Sequence, residues 1–253
     1  MLLAIRATDG AAIVSEYASN LSQIAGIRHA FLTLGNAGLP AEVFTCKQIH
    51  SATLIEAPDN LPAGSLQGDA VYTDGERPIA VITADCLPLL VAATDGSLVA
   101  AIHGGWKGLQ GGIIGNAIAR FEALEIPRQT LRIAIGPSIK PCCYEVSEQF
   151  VNELQAAQGH LWQTAVAPWT REQPTPLSSP AIAPPAARQS GSYWFDLQAY
   201  ALLLLRAAGI TDAQVEVSPV CTYCSSPAFG SYRRRTHEAD EKKAFQYSWI
   251  QRI

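Results

Sequence analysis

The sequence has little charge. Of its 253 residues only 16% are Asp, Glu, Lys or Arg, and the balance is acidic, with a formal net charge of −4. Binding nucleic acid without sequence preference needs a basic footprint, so the composition argues against that class. One basic cluster, Arg233-Arg234-Arg235 with Lys242 and Lys243, is diluted by Glu238, Asp240 and Glu241. Long apolar runs are missing too. None approaches the ~18–20 residues of a membrane span, so no membrane partner is expected. The opening MLLAIRATDG lacks the long apolar region of a secretory signal; it reads as a first strand, and a cytoplasmic address is expected. No internal repeat is visible. The chain is no small disulfide scaffold, so its six cysteines are expected to be thiols or ligands in a reducing compartment.

What is present is a large apolar fraction, 48%, enough for a sizeable core in one domain spanning residues 1–253. The centre of the chain is residues 79–115. Apolar, β-branched runs at 79–84, 87–93 and 98–102 read as strands buried on both faces, with Thr94-Asp95-Gly96-Ser97 as a hairpin turn. Before them, 2–5 and 11–14 read as a hairpin turning at Thr8-Asp9-Gly10, and 29–34, 43–49 and 53–56 as strands. After them, helices are expected at 112–124, from Ser147 to about 158, and at 197–208 behind an Asp196 cap. Strands are expected at 131–135, 215–217 and 229–232. Residues 168–192, rich in Pro, Ala, Ser and Gln, read as an exposed, flexible excursion. The mixed order of hairpins and helices gives an α+β or layered α/β fold, not an alternating doubly wound one.

Chemistry-bearing residues gather at predicted strand ends. His50, Cys86 and His103 offer one thiolate and two imidazoles, a ligand set suited to zinc with a fourth position left for water or substrate. The same residues permit a second reading, in which Cys86 is a nucleophile and His103 its base. Asp85 could orient a histidine in either, or be a turn carboxylate. His103-Gly104-Gly105-Trp106-Lys107-Gly108 places glycines and a cation where a strand gives way to a helix. That suits an anion, or equally a tight packing turn, and Trp106 suits a stacked base or the core. Ser231-Tyr232-Arg233-Arg234 could bring cations to an anionic ligand or form a solvated face. Cys221 and Cys224 form a CxxC with no second pair downstream, which reads as structural or incidental. Cys46, Cys142 and Cys143 read as packing thiols. His29, His160 and His237 have no partner in view.

Several segments taken together resemble one family. They are KQIHSA at 47–52, GDAVYT at 68–73, TADCLPLL at 83–90, AIHGGWKGL at 101–109, AIGPSIKPCCYEV at 134–146, WFDLQAY at 194–200, CTYC at 221–224 and FGSYRRR at 229–235. This ordered set is similar to the YfiH/YlmD family, also called laccase-domain or polyphenol-oxidase-like proteins. The resemblance implies a layered α-β-β-α sandwich with mixed sheets and a zinc site made by His50, Cys86 and His103, which would also be the catalytic residues. It implies phosphorolysis of purine nucleosides (adenosine, guanosine, inosine, methylthioadenosine) to base and ribose 1-phosphate, and deamination of adenosine. Purine nucleosides and phosphate would then be the partners. Gly105, Trp106, Lys107, Arg233 and Arg234 would serve phosphate and substrate, with Trp106 or Tyr144 facing the base. An older reading of the family as copper laccases ranks lower, because multicopper centres need many histidines and this chain has five.

The sequence departs from the family pattern in places. The N-terminal block is short: after the strand ending near Leu34, the chain reaches Lys47 without the family's Arg-Gly-Gly turn or the helix that follows it. HAGW is HGGW here, the usual Arg after that Trp is Lys107, and the Asp that follows the tail's arginine pair is Arg235. Two further functions are kept: a Cys/His hydrolase or amidase, using Cys86 and His103, acting on a cell-wall peptide precursor, and, given the shortened N-terminal block, a weakened member that binds nucleoside without turnover.

Overall fold

A computed structural model of the chain describes residues 3–4 and 15–253. In chain order the first elements are β1 (Leu3–Ala4), β2 (Ser15–Tyr17), α1 (Ser19–Ser22) and β3 (Ile27–Leu32). Then come β4 (Leu54–Glu56), β5 (Ala70–Thr73), β6 (Ile79–Thr83), β7 (Leu87–Ala93) and β8 (Val99–Gly104). These are followed by α2 (Trp106–Gln110), α3 (Ile113–Ala123), β9 (Leu131–Ile135), β10 (Glu145–Val146) and α4 (Glu148–Gln158). The chain finishes with β11 (Trp169–Thr170), β12 (Tyr193–Phe195), α5 (Leu197–Ala207), β13 (Val215–Val217), α6 (Tyr232–Glu238) and β14 (Gln246–Arg252).

Among the described residues the strands form three sheets, ordered β1-β2-β3-β14-β6, β13-β9-β7-β8-β5-β4 and β10-β12-β11. The two large sheets pack face to face. Alternate residues point inward: Phe31 of β3, Ile79 and Val81 of β6 and Ile250 of β14 meet Leu90 and Ala92 of β7, Val99 and Ala101 of β8 and Ala134 of β9. The opposite residues of β7, β8 and β9, among them Leu89, Val91, Ile102 and Ile133, pack on α3 and α5 through Ile114, Ile118, Phe121, Tyr200 and Leu203. Both faces of the β7–β8–β9 centre are thus dry, which is why those strands read as unbroken apolar runs. Burying each large side chain there contributes about 1.5–3 kcal/mol. The result is the expected mixed, layered α/β sandwich. On the far face of the first sheet a smaller cluster of Ala30, Leu32, Ala80 and Trp249 is covered by Tyr17, Tyr247 and the loop residues Leu39 and Val43.

The expected helices form, and their caps act as read: Ser147 Oγ accepts the Phe150 N–H and Asp196 Oδ1 the Ala199 N–H. Several expected strands differ. Residues 43–49 pair only at isolated bridges, Phe44 with Ile79 and Lys47 with Gln67, because the Phe44 backbone bonds Pro78 and Ala80 while the Lys47 backbone bonds Leu66 and Gly68, two different stretches of chain. Gln48 exchanges two 2.7 Å hydrogen bonds with the Ile82 backbone. The 229–232 strand is instead a loop leading into α6, where Ser231 Oγ accepts the Arg234 N–H. β14 escaped the sequence pattern altogether. It lies between β3 and β6, and its buried Gln246 and Ser248 break the apolar alternation. β1 pairs antiparallel with β2, and the 11–14 half of the expected hairpin lies outside the described residues. The 168–192 segment runs mostly exposed but is anchored: Gln173 Nε2 donates to Cys142 O, and the Ala181 and Ile182 N–H groups donate to Cys224 O.

Candidate active site and metal centre

Three elements converge to build the site. His103 sits on β8, paired with Pro88 of β7, and the next pair in that register is Leu87 with Gly104. One further step sets Cys86 beside Gly105, so the antiparallel ladder places a cysteine and a histidine 17 positions apart in sequence within reach of each other. His50 comes from the 47–52 loop, which Gln48 ties to β6 and Asp69 ties to the start of β5. Cys86 Sγ lies 3.8 Å from His50 Nε2, the two imidazoles stand edge to face with centroids 4.9 Å apart, and the ligand atoms of His50, Cys86 and His103 all lie within 4.8 Å of one another.

Asp69, in the GDAVYT segment just before β5, organises this group. It is fully buried and accepts His103 Nδ1–H at 2.8 Å. It also accepts the backbone N–H of Ile49 at 3.2 Å, of His50 at 2.9 Å and of Ser51 at 2.6 Å, and the Ser51 hydroxyl at 2.8 Å. One carboxylate thereby fixes the tautomer of His103, leaving Nε2 for a ligand, and shapes the turn that presents His50. Burial raises the Asp69 carboxyl, but the His103 and Ser51 hydrogen bonds outweigh it and hold the group well below the usual carboxylate range. The signal that could have found it was GDAVYT: an acidic residue at the start of an otherwise apolar strand.

Asp85 is the turn carboxylate, not a histidine orienter. Its carboxylate accepts the Thr222 hydroxyl and the Arg233 N–H, both at 2.7 Å, and ties the Cys86 corner to α6. His50 and Asp85 both hold positive φ, 60° and 85°. Such conformations cost about 1–3 kcal/mol each and persist where surrounding bonds over-determine them, as the Asp69 and Asp85 networks do. The glycines are explained by close approach. A Cβ on Gly105 would lie 2.6 Å from His50 Cδ2, and one on Gly108 would lie 2.8 Å from Ser51 O. They admit the 47–52 loop, so the tight-packing reading of this turn holds, and α2 is only five residues long.

Electrostatically, Cys86 and His103 form a coupled pair. Burial pushes the Cys86 thiol up, but hydrogen bonds with His103 and His50 overcome it and bring it down to about 7. Burial lowers the His103 imidazolium, while Asp69 and Cys86 raise it to about 9. Between those values the protein favours thiolate and imidazolium side by side.

The group forms the floor of a cleft of about 910 Å³, also lined by Lys47, Trp106, Lys107, Tyr144, Tyr232, Arg233 and Phe245. Three apolar side chains at its mouth, Ile49, Tyr232 and Phe245, are 47%, 58% and 46% exposed. Arg233 donates Nη1–H to Glu145 O at 2.8 Å and lies over the Tyr144 ring at 5.2 Å. A smaller cavity of about 480 Å³, with Arg188 and His237, adjoins it across Trp106, Tyr144 and Arg233. Lys107 Nζ lies 5.6 Å from the Trp106 ring centroid. Arg234 is placed elsewhere: its guanidinium donates to the carbonyls of Thr222, Tyr223 and Phe229. The other histidines stay apart. His29 accepts the Ala18 N–H at 2.9 Å, and His237 meets the Tyr223 hydroxyl at 3.2 Å.

Residues 22–243 match the multi-copper polyphenol oxidoreductase laccase family. The chain belongs to that family. It is 31% identical over 199 residues to the purine nucleoside phosphorylase YlmD of Geobacillus stearothermophilus, a match spanning 75% of this chain and 66% of YlmD. It is 30% identical over 220 residues to a purine nucleoside phosphorylase of Synechocystis, spanning 83% of this chain and 79% of that relative. The crystal structure of Geobacillus YlmD superposes with a TM-score of 0.75 at 25% identity, covering 96% of this chain and 97% of that one. A Neisseria meningitidis protein superposes at 0.68 with 26% identity, covering 90% and 95%.

A metal fits the residues of this family member. Its donor set is one thiol that readily ionises and two imidazoles, one of them backed by a buried carboxylate, which is chemistry suited to zinc. A multicopper centre does not fit. Three of the five histidines lie outside the cluster, and none of these three joins a second His-containing metal group among the described residues.

Proposed function

We propose that the protein is a zinc-dependent purine nucleoside phosphorylase that also deaminates adenosine. One observation carries the reading. His50, Cys86 and His103, with Asp69 behind them, converge at the floor of a cleft large enough for a nucleoside, in a chain whose relatives are named purine nucleoside phosphorylases. His50, Cys86 and His103 would hold the zinc, which when bound supplies a Lewis acid and lowers the pKa of a water towards neutrality. Asp69 keeps His103 in the coordinating tautomer. The aromatic mouth of Tyr232 and Phe245, with Trp106 and Tyr144 deeper in, suits the flat faces of a purine. Arg233, where the two cavities meet, and Lys107 supply cations for phosphate, and Gly105 leaves room for His50.

In phosphorolysis, a phosphate oxygen held by these cations attacks the anomeric carbon of the ribose. The glycosidic C–N bond breaks with its electron pair on the base, which leaves protonated, and ribose 1-phosphate remains. In deamination, water adds at the purine carbon bearing the amine and ammonia departs. Arg234, committed to backbone carbonyls, braces the loop and does not bind substrate in this scheme. None of the six cysteines is in a disulfide, and a reducing, cytoplasmic address is proposed with this reading.

A second reading is favoured by the Cys86–His103 pair itself. A thiol brought down to about 7 beside an imidazolium raised to about 9 is the starting state of a cysteine hydrolase or amidase acting on a peptide-like precursor. One experiment separates the readings: metal analysis of the purified protein beside product analysis with adenosine, with and without phosphate, for the parent and the His50→Ala and Cys86→Ala variants. Zinc with phosphate-dependent adenine release, lost in both variants, is expected. Turnover of a peptide-like substrate that survives chelation and dies on thiol alkylation would replace it with the hydrolase. Nucleoside binding with no product would leave a binding protein.

A further inference from the structure

The cysteines read from sequence as packing thiols and an incidental CxxC come together. Cys142, Cys143, Cys221 and Cys224 are all buried, and their four Sγ atoms lie within 4.8 Å of one another. Cys142 Sγ is 3.9 Å from Cys224 Sγ and 3.7 Å from Cys143 Sγ. A tetrahedral zinc site with bonds of about 2.3 Å has sulfur–sulfur edges of about 3.8 Å. Two of these edges, Cys142–Cys224 and Cys142–Cys143, therefore already stand at the corner spacing of such a site.

The surroundings suit a concentrated negative charge. Zinc with four thiolates carries a net −2. The Lys140 N–H donates to Cys221 Sγ at 3.5 Å. The Lys140 side chain is itself buried, and its hydrogen bonds among the described residues go to neutral oxygens, Ser138 Oγ and Gln198 Oε1. A buried cation bonded to neutral oxygens is costly unless anions lie close by; Asp196 is the strongest of these, and Cys221, Glu16 and Cys142 act on it as well. Arg234 adds a second cation over the Thr222 and Tyr223 carbonyls, inside the CxxC turn.

The position matches a staple. The cluster joins the loop after β9 to the loop after β13, and the 168–192 excursion lies over it, bonded to Cys142 O and Cys224 O and packed through Ile182. None of these segments has a long element to hold it. The same loops carry cleft residues: Tyr144 follows Cys143 directly, and Thr222, between the two CxxC cysteines, bonds Asp85 beside Cys86.

We propose that Cys142, Cys143, Cys221 and Cys224 bind one zinc ion at a second, structural site, separate from the cleft, that fixes the cleft wall bearing Tyr144 and Arg233. The site stands whether or not the cleft is that of a nucleoside phosphorylase.

The test uses the whole chain with two of the three cleft ligands removed. In a His50→Ala/Cys86→Ala variant purified without added metal, elemental analysis should still find one zinc per chain. Replacing that metal with Co²⁺ should give the intense sulfur-to-cobalt absorption and the d–d bands of a tetrahedral four-thiolate site. Adding Cys142→Ser and Cys224→Ser to the variant should remove that zinc. If the added serines prevent folding, the cobalt spectrum of the folded cleft variant still decides. A metal-free cleft variant with its four clustered cysteines titrating as free thiols, a disulfide among those cysteines by mass spectrometry, or iron in place of zinc would each overturn the proposal.

Discussion

Two cysteine-bearing clusters lie on either side of one cleft wall, and they are built for opposite purposes. The His50–Cys86–His103 group opens to solvent through exposed His50, while every member of the four-cysteine group is buried. The first has three donors and a cleft above it; the second has four donors and no opening. An open position is what chemistry needs, and a closed set is what a structural metal needs. Their supports differ in the same sense. Asp69 orients the open group through five hydrogen bonds to its loop and its histidine. The closed group instead takes a backbone N–H from Lys140, and Arg234 binds the carbonyls of the turn between its CxxC cysteines. The lesson is that the cost of the open site is borne locally, in two residues at positive φ; Asp69 holds the loop of His50, and Thr222 of the closed cluster's CxxC turn bonds Asp85.

The contrast can be broken most directly by mutation. Cys221→Ser with Cys224→Ser should lower the melting temperature by about 10 °C, a loss of several kcal/mol, whereas Cys86→Ala should abolish turnover and move the melting point by no more than about 2 °C. Calorimetry on both variants checks this, and equal destabilisation would erase the distinction. A smaller effect is expected from Asp69→Asn. Losing the carboxylate behind His103 should weaken metal binding in the cleft by about 10–100-fold, measured by competition with a chromogenic chelator, while the buried zinc resists the same chelator.

Gly105→Ala sharpens the comparison further. The new Cβ, 2.6 Å from His50 Cδ2, must displace the imidazole. Cleft metal affinity should fall about tenfold with the closed site untouched; unchanged affinity would mean that His50 is not a ligand. The mildest test is pH. In metal-free protein the thiolate fraction of Cys86 grows as pH rises through about 7, so its alkylation should accelerate across that range and level off above it. Cys46, pushed up to about 11 by burial, should stay unreactive over the same range. Mass spectrometry of the labelled peptides reads both, and a Cys86 midpoint near the ordinary thiol value would remove the proposed pairing with His103.

Much of the fold was legible because its centre follows simple periodicity. The 87–93 and 98–102 runs are apolar throughout because both their faces are dry, and Ser147 and Asp196 cap their helices as short polar side chains do. What was not legible depended on distant partners. The 43–49 segment has strand-like composition, but its backbone pairs at Phe44 with the 78–80 stretch and at Lys47 with the 66–68 stretch, so no ladder forms. β14 is central although Gln246 and Ser248 interrupt its alternation. Arg233 and Arg234 are neighbours of the same type, yet one faces the cleft and the other is spent on three carbonyls, a division set by the first turn of α6.

By itself the sequence determined the layered α/β class, the apolar centre, and three donor residues at predicted strand ends. These depend on hydrophobic period and residue chemistry, which are local properties. Only the tertiary structure decided that Asp69 stands behind His103, that Gly105 is small to admit His50, and that a Cys-Cys pair and a CxxC 78 positions further on form one buried cluster. The physical reason is the same in each case. Those relations are distances between chain segments brought together by strand register and sheet packing, and spacing along the chain carries no measure of them.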